Sequence, residues 1–222
     1  MKKQIGIVFL VFTVLFLGAC QSSNNADTPK EPDVVELPNP IDTSKKYKPS
    51  QDAAEEACKE GVYAAGCSSI SVDNLDEYLG LDDVLYIDLR DYSDYSQKHF
   101  RNFEVVPFFA YVYNKEAHTN AELIQLYGGD LTNPTSVYKE SDKLLNVLFP
   151  KDKVIFLMCQ SGGRVAQLMK ILESRGWDMS KIYNVGGVGQ YTASKYTNYI
   201  TDSLEFGVEA TYKFEGLTRV AK

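Results

Sequence analysis

The sequence predicts an α/β fold, a single domain with a small, mostly parallel sheet flanked by helices. The run Val154-Ile155-Phe156-Leu157-Met158 is short and continuously apolar, as suits a strand buried on both faces. The period then changes: Val165, Leu168, Met169 and Leu172 fall at i, i+3, i+4 and i+7, and Gly176 stands where a helix C-cap belongs. Val84-Leu85-Tyr86-Ile87 and Ile182-Tyr183-Asn184-Val185 supply two further short strands. With 222 residues, 44% of them apolar, the chain can bury one core of ordinary size.

The first 19 residues stand apart from that domain. Lys2 and Lys3 form a basic head, Ile5 to Leu17 an uncharged apolar run, and Leu17-Gly18-Ala19-Cys20 closes it with small residues before a cysteine. This resembles a bacterial lipoprotein signal, and it implies a chain that begins at Cys20 and carries lipid there. The apolar run is short of the roughly 20 residues a spanning helix needs. A plain cleaved signal leaves the cysteine at that point unexplained. The expected location is therefore the extracytoplasmic face of the cell membrane, held by lipid, since more than one acyl chain makes attachment stable.

Residues 20–50 are rich in Ser, Asn, Asp and Lys, with Pro29, Pro32, Pro38, Pro40 and Pro49 spread among them, and read as a flexible tether. The chain carries 23 basic residues against 30 acidic, a net charge of −7, and loss of Lys2 and Lys3 makes it more negative still. That excludes nucleic acid and electrostatic docking on anionic lipid.

Residues 51–67 form an N-terminal extension, with a helical pattern from Gln51 to Lys59. Cys58 and Cys67 flank Gly61 and Gly66 within and just beyond it. Two readings stand for this pair: a disulfide, in an oxidising compartment, or two small buried cysteines that never meet. No histidine lies nearby to make a metal site.

The domain proper is expected over residues 68–195. Asp73 to Leu79 has an N-cap residue, early acids and a short apolar face, so it predicts a small helix. The Val84–Ile87 strand ends in Asp88-Leu89-Arg90-Asp91, followed by Tyr95, Lys98, His99 and Phe100 and then by a short strand at Val105-Val106-Pro107. The stretch from Phe109 to Pro150 is predicted to hold a helix over Ala121–Tyr127, turns at Gly128-Gly129-Asp130 and Asn133-Pro134, and a second helical pattern from Val137 to Phe149. It is longer than a minimal domain needs and is placed to wall one side of a pocket. His118 lies in a polar stretch and is expected at the surface. Gly186-Gly187 predicts a tight turn after the last strand. Residues 196–222 form a C-terminal extension in which Val208, Ala210, Tyr212 and Phe214 alternate as in an edge strand. Tyr191, Tyr196 and Tyr199 read as packing ahead of a ligand surface.

The chemistry concentrates at Cys159-Gln160-Ser161-Gly162-Gly163-Arg164, between the apolar strand and the helix. Backbone N–H groups at such a junction, the positive end of a helix dipole and a cation one turn on all favour a thiolate. Gly162 and Gly163 let the loop curl around the sulfur and leave room for an anion.

The pattern C-x-x-G-x-R in that setting resembles the active-site loop of the rhodanese family of sulfurtransferases. Related phosphatases separate cysteine and arginine by one residue more, and that position here is Val165. The strand ending in Asp88-x-Arg90, the following His99, and the strand with paired glycines at Gly186-Gly187 resemble the same family in the same order. The resemblance implies a rhodanese-like fold and a persulfide on Cys159, with Gln160, Ser161, Gly162, Gly163 and Arg164 around the substrate. It makes Asp88, Arg90 and His99 mainly structural, behind that site; a lone histidine is more often structural than catalytic, so His99 is assigned no proton transfer, with a Cys-His catalytic pair as the open alternative. Its expected partners are a small sulfur-containing anion such as thiosulfate and a thiol or cyanide acceptor, with no metal or cofactor. Gln160 departs from the basic residue that many thiosulfate-using relatives carry there, which bears on the donor more than on the chemistry. A non-catalytic binding module and a small-anion phosphatase or arsenate-type enzyme are the competing readings. The intact cysteine and arginine oppose the first and the short loop opposes the second.

Overall fold

The protein, seen as a computed structural model, is described over residues 34–47, 56–203, 208–209 and 212–220. Its centre is a five-stranded sheet of β1 (Val84–Asp88), β2 (Glu104–Val105), β3 (Val154–Cys159), β4 (Ile182–Gly187) and β5 (Val208–Glu209). The strand order is β5-β2-β1-β3-β4, and every neighbouring pair runs parallel. The α/β class, with a parallel sheet flanked by helices, is therefore present.

The two faces of β3 explain its unbroken apolar run. Ile155, Leu157 and Cys159 point into one core cluster, with Leu145, Val165, Leu168 and Leu172. Phe156 and Met158 point into the other, with Val84, Tyr86, Phe100, Tyr183 and Val185. Successive side chains of a strand alternate between faces, so a strand covered on both sides has no polar position to spare. Helix α3 (Gly163–Ser174) lays Val165, Leu168, Met169, Ile171 and Leu172 on the first face, and the chain leaves it at Gly176, with φ at +78°. Helices α1 (Tyr92–Tyr95) and α2 (Ser141–Leu148) complete the cover.

Several local expectations need correction. Ala121–Tyr127 is not a helix: the Leu126 N–H donates to the Tyr111 carbonyl, and Tyr127–Gly128 pairs antiparallel with Thr135–Ser136. Long-range backbone partners outweigh weak local propensity here. Helix α2 starts at Ser141 rather than Val137, because the Val137 backbone bonds to Leu126 and Val220 and the Ser141 hydroxyl donates to the Leu126 carbonyl. The segment from Asp73 to Leu79 makes only one tight turn, Leu75–Tyr78. The short strand expected at Val105-Val106-Pro107 sits one residue earlier, at Glu104–Val105. Strand β4 runs through Gly186 and Gly187 before the chain turns at Val188–Gln190.

The N-terminal segments depart further. At its described end the helical pattern of Gln51–Lys59 is instead a strand, Glu56–Ala57, paired antiparallel with Lys46–Tyr47. Residues 37–47, read as part of the tether, lie on the domain: the Tyr183 hydroxyl donates to the Pro38 carbonyl at 2.5 Å and the Asp42 N–H to the Cys67 carbonyl at 2.7 Å. The signal-like residues 1–19 and Cys20 lie outside the described residues. Among the described residues, no helix is long and apolar enough to cross a membrane.

In the C-terminal extension, β5 adds an edge strand. Beyond it, Tyr212 and Phe214 pack edge-on against Tyr111, each at 5.7 Å between ring centroids. Tyr191 and Tyr196 are buried packing groups, and Tyr199 is partly exposed.

Candidate active site

Cys159 ends β3 at the carboxyl edge of the parallel sheet, where the chain must leave the sheet to enter α3. In open parallel sheets this edge is where ligands bind. The thiol is 1% exposed, and among the described residues it is the free cysteine, because Cys58 and Cys67 are bridged. Gly162 caps α3 with φ at +90°, a left-handed conformation that a residue with a side chain rarely adopts, and its N–H donates to Cys159 Sγ at 3.1 Å. Gln160, Ser161 and Gly163 are exposed on the rim, while Gly162 is buried.

Arg164 follows the loop as the second residue of α3. Its guanidinium lies 5.3 Å from the centre of the Phe109 ring and 3.9 Å from the Asp91 carboxylate. Phe109 is carried by a wide helical turn, Phe108–Val112, that follows β2, and buried Gln125 donates to the Phe109 carbonyl at 2.9 Å. The long connection after β2 thus contributes the aromatic wall that Arg164 rests on. Cations over aromatic faces are held by the ring quadrupole.

Asp88, Arg90 and His99 lie behind the mouth of the loop and are fully or almost fully buried. The Arg90 guanidinium grips the Asp88 carboxylate through Nε and Nη2, at 3.0 and 2.7 Å, and donates to the Lys98 carbonyl at 2.6 Å. His99 shares a hydrogen bond between Nδ1 and the Tyr95 carbonyl at 2.9 Å and stacks on the Tyr95 ring at 4.1 Å. The geometry joins these residues to the loops after β1 and does not bring the imidazole to the thiol as a partner. His118, expected at the surface, is partly buried and bonds the Thr135 hydroxyl at 2.8 Å.

The other side of the mouth is built by residues the motif does not contain. The segment closed by the Cys58–Cys67 disulfide runs through Tyr63, Ala64 and Ala65, and the Ala65 Cβ would lie 2.7 Å from a Cβ placed on Gly162. Between this segment and the loop lies a cavity of about 470 Å³, lined by Lys46, Tyr47, Ala65, Ser161, Gly163 and Gln190 among others. From β4, Asn184 reaches both the loop and the disulfide-closed segment. A polar residue inside an otherwise apolar strand is the one sequence signal that pointed at Asn184. Phe109 and Ala65 carried none.

No family model matches the chain, and no curated protein matches it. Solved structures of rhodanese-like proteins are similar to it. A rhodanese-like domain protein from Staphylococcus aureus shares 20% identity over 56% of this chain and 91% of its own, with a TM-score of 0.35. The rhodanese-like domain of the Anabaena sp. protein Alr3790 shares 13% identity over 68% of this chain and 92% of its own, with a TM-score of 0.38. The single-domain sulfurtransferase RDL2 of Saccharomyces cerevisiae shares 19% identity over 57% of this chain and 90% of its own, with a TM-score of 0.36.

Proposed function

We propose that the protein is a rhodanese-type sulfurtransferase that carries sulfane sulfur as a persulfide on Cys159, tethered by lipid at Cys20 on the extracytoplasmic face of the membrane. The observation that supports it most is the Gly162 N–H donated to Cys159 Sγ at 3.1 Å, at the junction of a parallel strand and a helix. That donor is the kind of group that would hold a transferred sulfur, and Arg164 puts a cation at the start of the helix that follows.

In the first half-reaction the Cys159 thiolate attacks the outer sulfur of a donor such as thiosulfate. A new Sγ–S bond forms, the donor's S–S bond breaks, and sulfite leaves with the bonding electron pair. Arg164 draws in the anionic donor and offsets charge on the departing sulfite. In the second half-reaction a thiolate or cyanide attacks the outer persulfide sulfur, the Sγ–S bond breaks, and the Cys159 thiolate returns. No net oxidation occurs and the steps call on no cofactor.

The test is the intact mass of the full chain before and after incubation with thiosulfate, with Cys159→Ser as control. The wild type is expected to gain one sulfur atom, lost again on adding cyanide, and Cys159→Ser is expected to gain none. Equal gain in both would overturn the assignment of Cys159. Absence of gain across thiosulfate and alternative sulfane donors would overturn the transferase reading.

A further inference from the structure

Asn184 is 3% exposed, and each polar atom of its side chain is engaged. Nδ2 donates to the Tyr63 carbonyl at 2.7 Å and to the Gly162 carbonyl at 3.0 Å, while Oδ1 accepts the Gly186 N–H at 3.0 Å. One side chain therefore joins three separate pieces of backbone: the disulfide-closed segment, the cysteine loop and its own strand. Gly162 is the residue whose N–H meets Cys159 Sγ, and its left-handed φ of +90° sets the direction of that N–H. Glycine takes this conformation at little cost and leaves it as easily, so contacts to its backbone decide how firmly it is kept. Asn184 holds it from β4. The Ala166 N–H holds it from the helix, at 3.0 Å. Ala65, two residues on from Tyr63 in the disulfide-closed segment, occupies the space a Cβ on Gly162 would need.

We infer that Asn184 is a positioning residue for Cys159: its buried amide fixes Gly162 so that the N–H points at the sulfur, and it transmits the anchoring of the Cys58–Cys67 segment to the cysteine loop. The inference rests on the reading of Cys159 as the reacting thiol. Loss of the donation to the Gly162 carbonyl leaves it to the Ala166 N–H, loosens the φ and ψ of Gly162, and through them the preceding peptide whose N–H meets Sγ. The bridged segment acts through the same contact, because the Tyr63 carbonyl is where Asn184 grips it.

The experiment is alkylation of Cys159 by iodoacetamide in the full chain over a pH series, followed by peptide-resolved mass spectrometry that reads Cys159 apart from Cys20. No sulfur donor takes part, so the result is independent of whether the protein transfers sulfur. Asn184→Leu keeps the volume and removes the donors, and Asn184→Ser restores one short donor. For Asn184→Leu the alkylation rate is expected to fall about tenfold across the pH series, the weight of one hydrogen bond to a charged group. Asn184→Ser should fall between. The double variant Cys58→Ser/Cys67→Ser should move the profile in the same direction and add little when combined with Asn184→Leu, since both changes act through one contact. An unmoved profile in a folded Asn184→Leu protein, as judged by its thermal melt, overturns the positioning role. Additive shifts overturn the link to the disulfide. Should Asn184→Leu fail to fold, an unmoved profile in Asn184→Ser overturns the proposal in its place.

Discussion

The Cα of Gly187 lies so close to the Gln160 peptide that a Cβ there would stand 2.0 Å from the Gln160 carbonyl oxygen and 2.7 Å from the Ser161 nitrogen. Strand β4 thus supports the cysteine loop from beneath by backbone against backbone, and neither partner can swing aside as a flexible side chain would. Gly187→Ala must displace the loop. We expect sulfur uptake from thiosulfate to fall at least about tenfold, with a stability cost of about 1–3 kcal/mol in urea unfolding, the usual range for overpacking. Gly189→Ala, where a Cβ meets nothing within 4 Å, is the control and should leave both unchanged.

The buried Asp88–Arg90 pair carries the next prediction. Arg90→Met leaves a carboxylate that is 0% exposed without its counter-charge. Breaking one half of a buried ion pair costs about 3–5 kcal/mol, because desolvation of the remaining charge goes uncompensated. Urea unfolding of Arg90→Met should show a loss of that size, and Asp88→Asn/Arg90→Met should recover part of it. A loss below about 1 kcal/mol would show that water reaches Asp88.

The Cys58–Cys67 bridge closes a short loop, with a sequence separation of 9 and Cα atoms 5.3 Å apart. Chain-entropy reasoning gives a loop of that size about 2.5 kcal/mol. Cys58→Ser/Cys67→Ser should lower unfolding stability by roughly that amount in non-reducing buffer. Added reductant should bring the wild type to the same value.

Alkaline pH should destabilise the fold. Burial, with Tyr78 nearby, pushes the Tyr183 phenol up to about 12. Burial likewise raises Tyr63, Tyr127 and Tyr191, helped by Glu173, Asp142 and Tyr196 respectively. The folded state keeps these protons above pH about 10, where the unfolded chain has begun to lose them. Stability is therefore whole below about pH 10 and falls as pH rises toward about 12. Melting temperatures across that window should drop, and Tyr183→Phe should flatten the drop while costing the bond to the Pro38 carbonyl. A slope unchanged in Tyr183→Phe would remove Tyr183 as a contributor.

What the sequence determined by itself is what short-range physics writes into neighbouring residues. The apolar run of β3, the helical period of α3, the Gly176 terminus and the Cys159–Arg164 loop each depend on residues within a few positions of one another, so periodicity and turn chemistry made them legible. Asp88 and Arg90 were singled out by the resemblance of the strand ending they occupy, and the structure shows them paired two residues apart. Tertiary structure decided the rest. Ala121–Tyr127 yielded its helical pattern to backbone partners in other segments, and residues 37–47 left the tether reading because Tyr183 and Cys67 offer them bonds. Asn184 grips the Tyr63 carbonyl across a separation of 121 residues. The strength of such a contact depends on where the fold brings its partner and how well water is excluded there, and neither property belongs to the residue alone.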